Sequence, residues 1–335
     1  MTDFLFLLLG FALLVAGGEL LVRGAAGTAE RLGMSPLLIG LTLVGFGTSM
    51  PELVTSVQAS LSGSPGIAVG NIVGSNIANI LLILGISTMI MPLAVRQKAL
   101  VRDGGLVLVT AALFAVLGFF LPLDRFVGVV FLACLAGYLH YAYSQEKADA
   151  PKGHTAAFEK VEAHDEVLAG QAGSPPSAAR PAQGGAMALV LPLALAVAGL
   201  AVVVAGGKIL VDAASSIARS AGISETLIGL TIVAVGTSLP ELVTSVVAAL
   251  RRHGDVALGN VLGSNIYNIL GIGGVTALIA PTTIPAEIAH FDNLVMVGVS
   301  VLLLAVAFTG RRISRGEGAL LLAVYALYLF AIWPA

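Results

Sequence analysis

The chain has 335 residues, of which 57% are hydrophobic and 11% charged, with 40 glycines and a formal net charge of −2. Soluble domains average about 25% charged residues, so this composition excludes an ordinary water-soluble globule and points to lipid. No basic patch with interleaved aromatics is present, which argues against a nucleic-acid partner.

Mean hydropathy is +0.98. Apolar runs of about 20 residues, each able to cross a hydrocarbon core of about 30 Å, recur along nearly the whole length. In chain order they predict spans near 4–23, 36–62, 67–91, 104–121, 126–144, 187–210, 224–250, 256–280, 291–309 and 317–333. The start, Met1-Thr2-Asp3, has no lysine or arginine and so lacks the positive region of a signal peptide; Phe4–Val22 reads as a retained first span. Cys134 lies in an apolar run and reads as an inert packing residue. Residues 145–186 are rich in Ala, Gly, Pro, Ser and mixed charge. That stretch reads as a flexible linker unable to bury enough surface to fold alone, and its "FEKVEAHDEV" (158–167) as a solvated charged run.

The chain is internally duplicated. A shift of 189 residues aligns Gly40–Leu81 with Gly229–Leu270 without a gap, with 26 of 42 positions identical. The same offset pairs Ala16-Gly17-Gly18 with Ala205-Gly206-Gly207, Pro92 with Pro281, and Asp103 with Asp292. The repeating unit is therefore a whole five-span half: 1–144 and 187–335, joined by the linker 145–186. Because five is odd, the second half must start on the other side of the membrane, and the halves are inverted copies. With the N-terminus outside, 14 of the 17 Lys and Arg residues fall in inside loops; the exceptions are Arg125, Lys208 and Arg219. The positive-inside rule thus predicts both termini outside and the linker in the cytoplasm. The expected fold is an all-α membrane protein of ten helices in two inverted repeats. Helices 2, 3, 7 and 8 are broken around a midplane ion site.

The polar content of the repeats is concentrated. "VGFGTSMPELVTS" (44–56) returns as "VAVGTSLPELVTS" (233–245). Pro51 cannot bond the Gly47 carbonyl, nor Pro240 that of Gly236, so each span breaks beside a carboxylate, Glu52 or Glu241. Breaks at membrane depth persist where protein, water or an ion takes up the freed oxygens. On the helix leaving each break, Thr48, Glu52 and Thr55 share one face, as do Thr237, Glu241 and Thr244. "GNIVGSNIANIL" (70–81) and "GNVLGSNIYNIL" (259–270) add Ser75, Asn76, Asn79, Ser264, Asn265 and Asn268. Their glycines allow close helix approach or unwinding. Carboxylate, hydroxyl, amide and carbonyl oxygens are hard ligands, suited to Ca2+, Na+ or Mg2+. Two facing carboxylates in low dielectric are costly to carry across bare, whereas one Ca2+, two Na+ or two protons neutralise them. That arithmetic predicts exchange.

The paired motifs closely resemble the alpha repeats (40–81 and 229–270) of the sodium/calcium exchanger family, within the calcium/cation antiporter superfamily. The resemblance implies a Ca2+ site between Glu52, Glu241 and the carbonyls of Thr48 and Thr237. It implies flanking Na+ sites using Ser49, Ser75, Ser238, Ser264 and the carbonyls of Gly45 and Ala234. It further implies spans one and six sliding against an eight-helix core in a prokaryotic plasma membrane. No cofactor and no obligate protein partner are expected; Ca2+, Na+ and the bilayer are the partners. Potassium-dependent members typically carry an acid where this chain has Asn79 and Asn268, which argues for K+ independence. The proton-coupled branch usually shows a glutamate and a histidine after its Gly-Asn pair. This chain shows Ser-Asn with no nearby His, which favours Na+ over H+ as counter-ion. A Ca2+/H+ exchanger on the same fold stays open as the alternative. A cation channel and an intramembrane enzyme fit less well, since neither a continuous polar pore nor a nucleophile–base pair is visible.

Overall fold

In lipid an apolar stretch can satisfy its backbone only within itself, as a helix, or in a closed barrel. Helices are what this chain forms. The computed structural model describes residues 2–32, 34, 39, 42, 45–95, 100–148, 155–172, 187–308 and 312–333. In order, the helices are α1 (Thr2–Arg31), α2 (Met50–Leu61), α3 (Pro65–Ile90), α4 (Leu100–Phe120), α5 (Arg125–Ala148), α6 (Ala156–Ala172) and α7 (Met187–Ala221). They continue as α8 (Glu225–Thr237), α9 (Leu239–Leu250), α10 (Gly254–Ile279), α11 (Ile288–Phe308) and α12 (Arg315–Ile332).

Among the described residues eight helices are long and apolar enough to cross a membrane, and the bent pair α8–α9 makes a ninth. The expected second span, 36–62, lies partly outside the described residues. Its described part is the helical turn Gly45–Gly47 followed by α2. The first and sixth spans run longer than their apolar cores, because the polar residues that leave the bilayer need not leave the helix. At 30 residues α1 is about 45 Å long, more than a hydrocarbon core needs.

The proline breaks fall where expected. Pro51 and Pro240 sit in the first turn of α2 and α9, where a missing N–H costs nothing, and α8 meets α9 at 47°. Helices α3 and α10 differ from expectation. They do not break but run through π turns at Asn79–Ile83 and Tyr267–Gly273. Their glycines permit close approach and not unwinding: a Cβ on Gly74 would lie 2.5 Å from the Leu230 carbonyl oxygen. Two short β contacts also qualify the all-α expectation. Leu93–Ala94 pairs antiparallel with Arg312–Ile313, and Leu123 bridges Thr282.

The linker requires a larger correction. Residues 145–186 do not all form a flexible tether, because Ala156–Ala172 is a helix. Averaged over the whole linker, its composition hides a run rich in Ala and Glu, both good helix formers. Thr155 accepts the Glu159 N–H on its carbonyl and the Phe158 N–H on its hydroxyl, starting the helix.

Helices α3 and α10 are buried almost throughout and form the centre of the main core, with α4, α5, α11 and α12 around them. Phe4, Leu5, Phe6 and Leu8 on α1 and Leu191 and Leu193 on α7 are exposed, as lipid-facing residues should be. A second, smaller core lies under α1 and α7. These two helices cross antiparallel along a glycine seam: Gly10 meets Leu210, Gly17 meets Val203, and Gly24 meets Ala196. Gly199 and Gly206, the repeat partners of Gly10 and Gly17, pack back on Leu21 and on Leu13 and Leu14. The seam obeys the duplication.

Candidate functional site

The two proline breaks face each other across the bundle centre. Glu52 and Glu241 stand in the first turns of α2 and α9, each only 1% exposed. The serines before the prolines cross over. Ser238 of the second half donates to Glu52 Oε1 at 3.0 Å, and Ser49 of the first half donates to Glu241 Oε1 at 3.1 Å. Each carboxylate is therefore held by the other repeat. The second oxygen of each, Oε2, is buried with no hydrogen-bond partner among the described residues. Buried polar atoms are nearly always paired, so two orphaned carboxylate oxygens fit a site that takes a cation as substrate.

The other candidates divide. Thr48 is buried, its hydroxyl has no partner among the described residues, and it lines a cavity of about 490 Å³ together with Gly18, Pro51, Pro240 and Thr244. The Thr237 hydroxyl lies 2.9 Å from Asn71 Oδ1 and 3.0 Å from the Val233 carbonyl. Ser75 donates to the Ala234 carbonyl at 3.4 Å, an oxygen that also accepts the Ser238 N–H at 3.1 Å. Gly45 is buried in the helical turn before the first break. The matching asparagines have diverged in their contacts. Asn79 donates to Asn265 Oδ1 at 2.9 Å, whereas Asn268 is buried with both side-chain polar atoms unpartnered among the described residues. Among the described residues Asn268 has no hydrogen bond to the other candidate residues and is the freer side chain of the two.

Two sets of residues were not anticipated. Asn71 donates to the Glu52 carbonyl at 3.1 Å and to Ser56 Oγ at 2.9 Å. Asn260 does the same for the Glu241 carbonyl at 3.2 Å and for Ser245 Oγ at 2.8 Å. These amides tie the glutamate-bearing turns to α3 and α10. Their signal was available, since both follow the first glycine of a duplicated motif.

The second set is the linker helix. Lys160, 1% exposed, reaches the site and donates to Ser264 Oγ at 2.5 Å, Ser49 Oγ at 3.3 Å and Glu241 Oε1 at 3.4 Å. Burial holds its ammonium below the ordinary lysine range, and the Glu241 and Glu52 carboxylates offset that only in part. The expectation of a solvated charged run at 158–167 fails here, because Glu159 and Lys160 are both buried against the bundle.

The comparisons with known proteins bear on the family and the fold. Residues 2–144 and 191–333 match the family described as "Sodium/calcium exchanger protein". The chain is 36% identical to the sodium/calcium exchanger MaX1 of Methanosarcina acetivorans, over 99% of both chains. It is 37% identical to the putative antiporter CaxA of Alkalimonas amylolytica, over 99% of this chain and 98% of that one. Among solved structures it resembles the sodium-calcium exchanger NCX_Mj soaked with 10 mM Na+ and zero Ca2+, with a TM-score of 0.60, 32% identity and 99% of both chains covered.

Proposed function

The chain belongs to the sodium/calcium exchanger family of integral membrane cation exchangers, and from that premise we propose that it exchanges Ca2+ for Na+ through a site built on Glu52 and Glu241. The observation that carries this reading is the crossed pair of serine–glutamate bonds with one orphaned oxygen left on each carboxylate. Thr48, Asn268 and the remaining serine hydroxyls supply further neutral oxygens, the donor set a hard cation prefers. A site with two carboxylates is neutral with one Ca2+ or with two Na+, so loaded carriers can reorient and bare ones resist it.

In this reading the halves 1–144 and 187–335 are inverted five-span repeats, and the glycine seam lets α1 and α7 move together against the main core. The distribution of basic residues supports a linker in the cytoplasm and both termini outside, in a prokaryotic plasma membrane as the family resemblance implies. Na+ is the counter-ion. Ca2+ uptake into proteoliposomes with Na+, H+ and K+ gradients imposed separately tests this. A Na+ gradient should drive uptake; uptake driven by H+ alone would transfer the coupling to protons, and uptake needing no counter-ion would refute exchange.

A further inference from the structure

The linker helix does more than connect the repeats. Three contacts dock it. Asp103, at the start of α4, accepts the Ala156 N–H at 2.9 Å and thereby caps α6 from outside. Arg102 holds that same carboxylate, with Nη2 2.8 Å from Oδ2, and Tyr138 adds its hydroxyl. A cap of this kind satisfies orphan N–H groups and places negative charge at the positive end of the helix. Next, α6 lies in the groove made by Gly259 and Gly263. A Cβ on Gly259 would fall 2.1 Å from Glu159 Oε2, and one on Gly263 would fall 3.0 Å from the Ala156 carbonyl. Finally, His164 stands 3.9 Å from Glu19 of α1.

The duplication makes this groove informative. The equivalent glycines of the first half, Gly70 and Gly74, receive Gly229, Leu230 and Ala234 of the broken seventh span. Among the described residues, the groove of the second half is filled by a segment that belongs to neither repeat. From it Lys160 puts an ammonium on Ser264, Ser49 and Glu241, 5.9 Å from the Tyr267 ring. His164 and Val167 of the same helix form a wall of the cavity that reaches Thr48 and Pro240.

We propose that α6 is an autoinhibitory plug, and that Lys160 is a tethered cation holding the oxygens a transported ion would take. The inference rests on the exchange reading above. An ion on Glu241 and Ser264 would sit within about 4 Å of the ammonium, where like charges in low dielectric repel strongly. Docked helix and bound ion therefore exclude each other. The apparent affinity for the ion falls by the fraction of carriers left undocked, so rising Ca2+ on the linker side releases the plug.

The test is Ca2+ uptake into proteoliposomes as a function of Ca2+ concentration, in a Cys134→Ser background. Lys160→Ala removes the tethered charge, and Asp103→Asn loosens the helix from a residue outside the ion site. If the helix is docked about nine-tenths of the time, each variant should lower half-saturating Ca2+ by up to about tenfold. Unchanged half-saturation in both variants, or loss of uptake in both with the protein intact, overturns the plug. A second arm joins Glu19→Cys to His164→Cys with a short cleavable thiol cross-linker. Cross-linking should suppress uptake, cleavage should restore it, and Ca2+ added beforehand should lower the cross-link yield. A yield indifferent to Ca2+, or uptake indifferent to the cross-link, overturns it as well. If even the unmodified protein moves no Ca2+, the exchange reading fails, and the Ca2+ dependence of the cross-link still judges the plug.

Discussion

Asn71→Ala tests whether the amide behind each glutamate positions it. In the structure Asn71 makes three buried hydrogen bonds: to the Glu52 carbonyl, to Ser56 and from Thr237. Hydrogen bonds between membrane helices average about 0.6 kcal/mol, so losing three costs about 2 kcal/mol. The bonds also join α2, α3 and α8, so their loss frees the Glu52 turn relative to Ser238. Thermal unfolding in detergent should show lower stability, and Ca2+ uptake should show a raised half-saturation. Asn260→Ala should do the same around Glu241, where the amide reaches the Glu241 carbonyl, Thr244 and Ser245. A variant as stable as the parent, with unchanged Ca2+ dependence, would refute the claim that these amides set the glutamates.

Other predictions are more direct. Glu52→Gln and Glu241→Gln should each abolish Ca2+ uptake while the protein remains folded and monodisperse; normal uptake by either would remove that residue from the site. Gly17→Leu places a Cβ 2.7 Å from the Val203 amide nitrogen, well inside an ordinary contact of at least 3.4 Å, so α1 and α7 must part. It should lower stability by about 1–3 kcal/mol and stop transport, and a stable, fully active variant would argue against a working seam. Asn268→Asp adds a carboxylate where both amide atoms lack partners. It should make uptake respond to K+, and indifference to K+ would place Asn268 off the ion path.

What the sequence revealed followed from covalent and lipid constraints. A proline removes an N–H wherever it sits, so the breaks before Glu52 and Glu241 were readable without coordinates. The repeat then located the second site from the first. Asn71 and Asn260 were visible in the same duplicated motifs, but side-chain amides on an apolar helix look alike until their acceptors are known. The π turns were not readable, because they preserve helical backbone and leave no proline or charge behind. Lys160 was the hardest case. Its tertiary contacts come from Ser49, Glu241 and Ser264, at sequence separations of 81 to 111 residues, and its neighbours compose an ordinary charged helix. The linker's Pro, Gly and Ser residues pulled the composition toward disorder, whereas propensity within 156–172 favoured helix.

The crossed serines carry a consequence for how two homologous halves cooperate. If each repeat completed its own carboxylate shell, either half could hold an ion without the other, and the two breaks could move independently. Because Ser49 donates to Glu241 and Ser238 to Glu52, displacing one break disturbs both carboxylates. In the proposed reading the ion site is therefore formed or broken as a unit, as coupled exchange needs. Lys160 enters this arrangement from one side only. It contacts Ser49, from the first half, together with Glu241 and Ser264 from the second, and thereby engages the crossed Ser49–Glu241 pair. A single tethered charge can thus hold both halves in one arrangement, even though the repeats themselves are nearly symmetric.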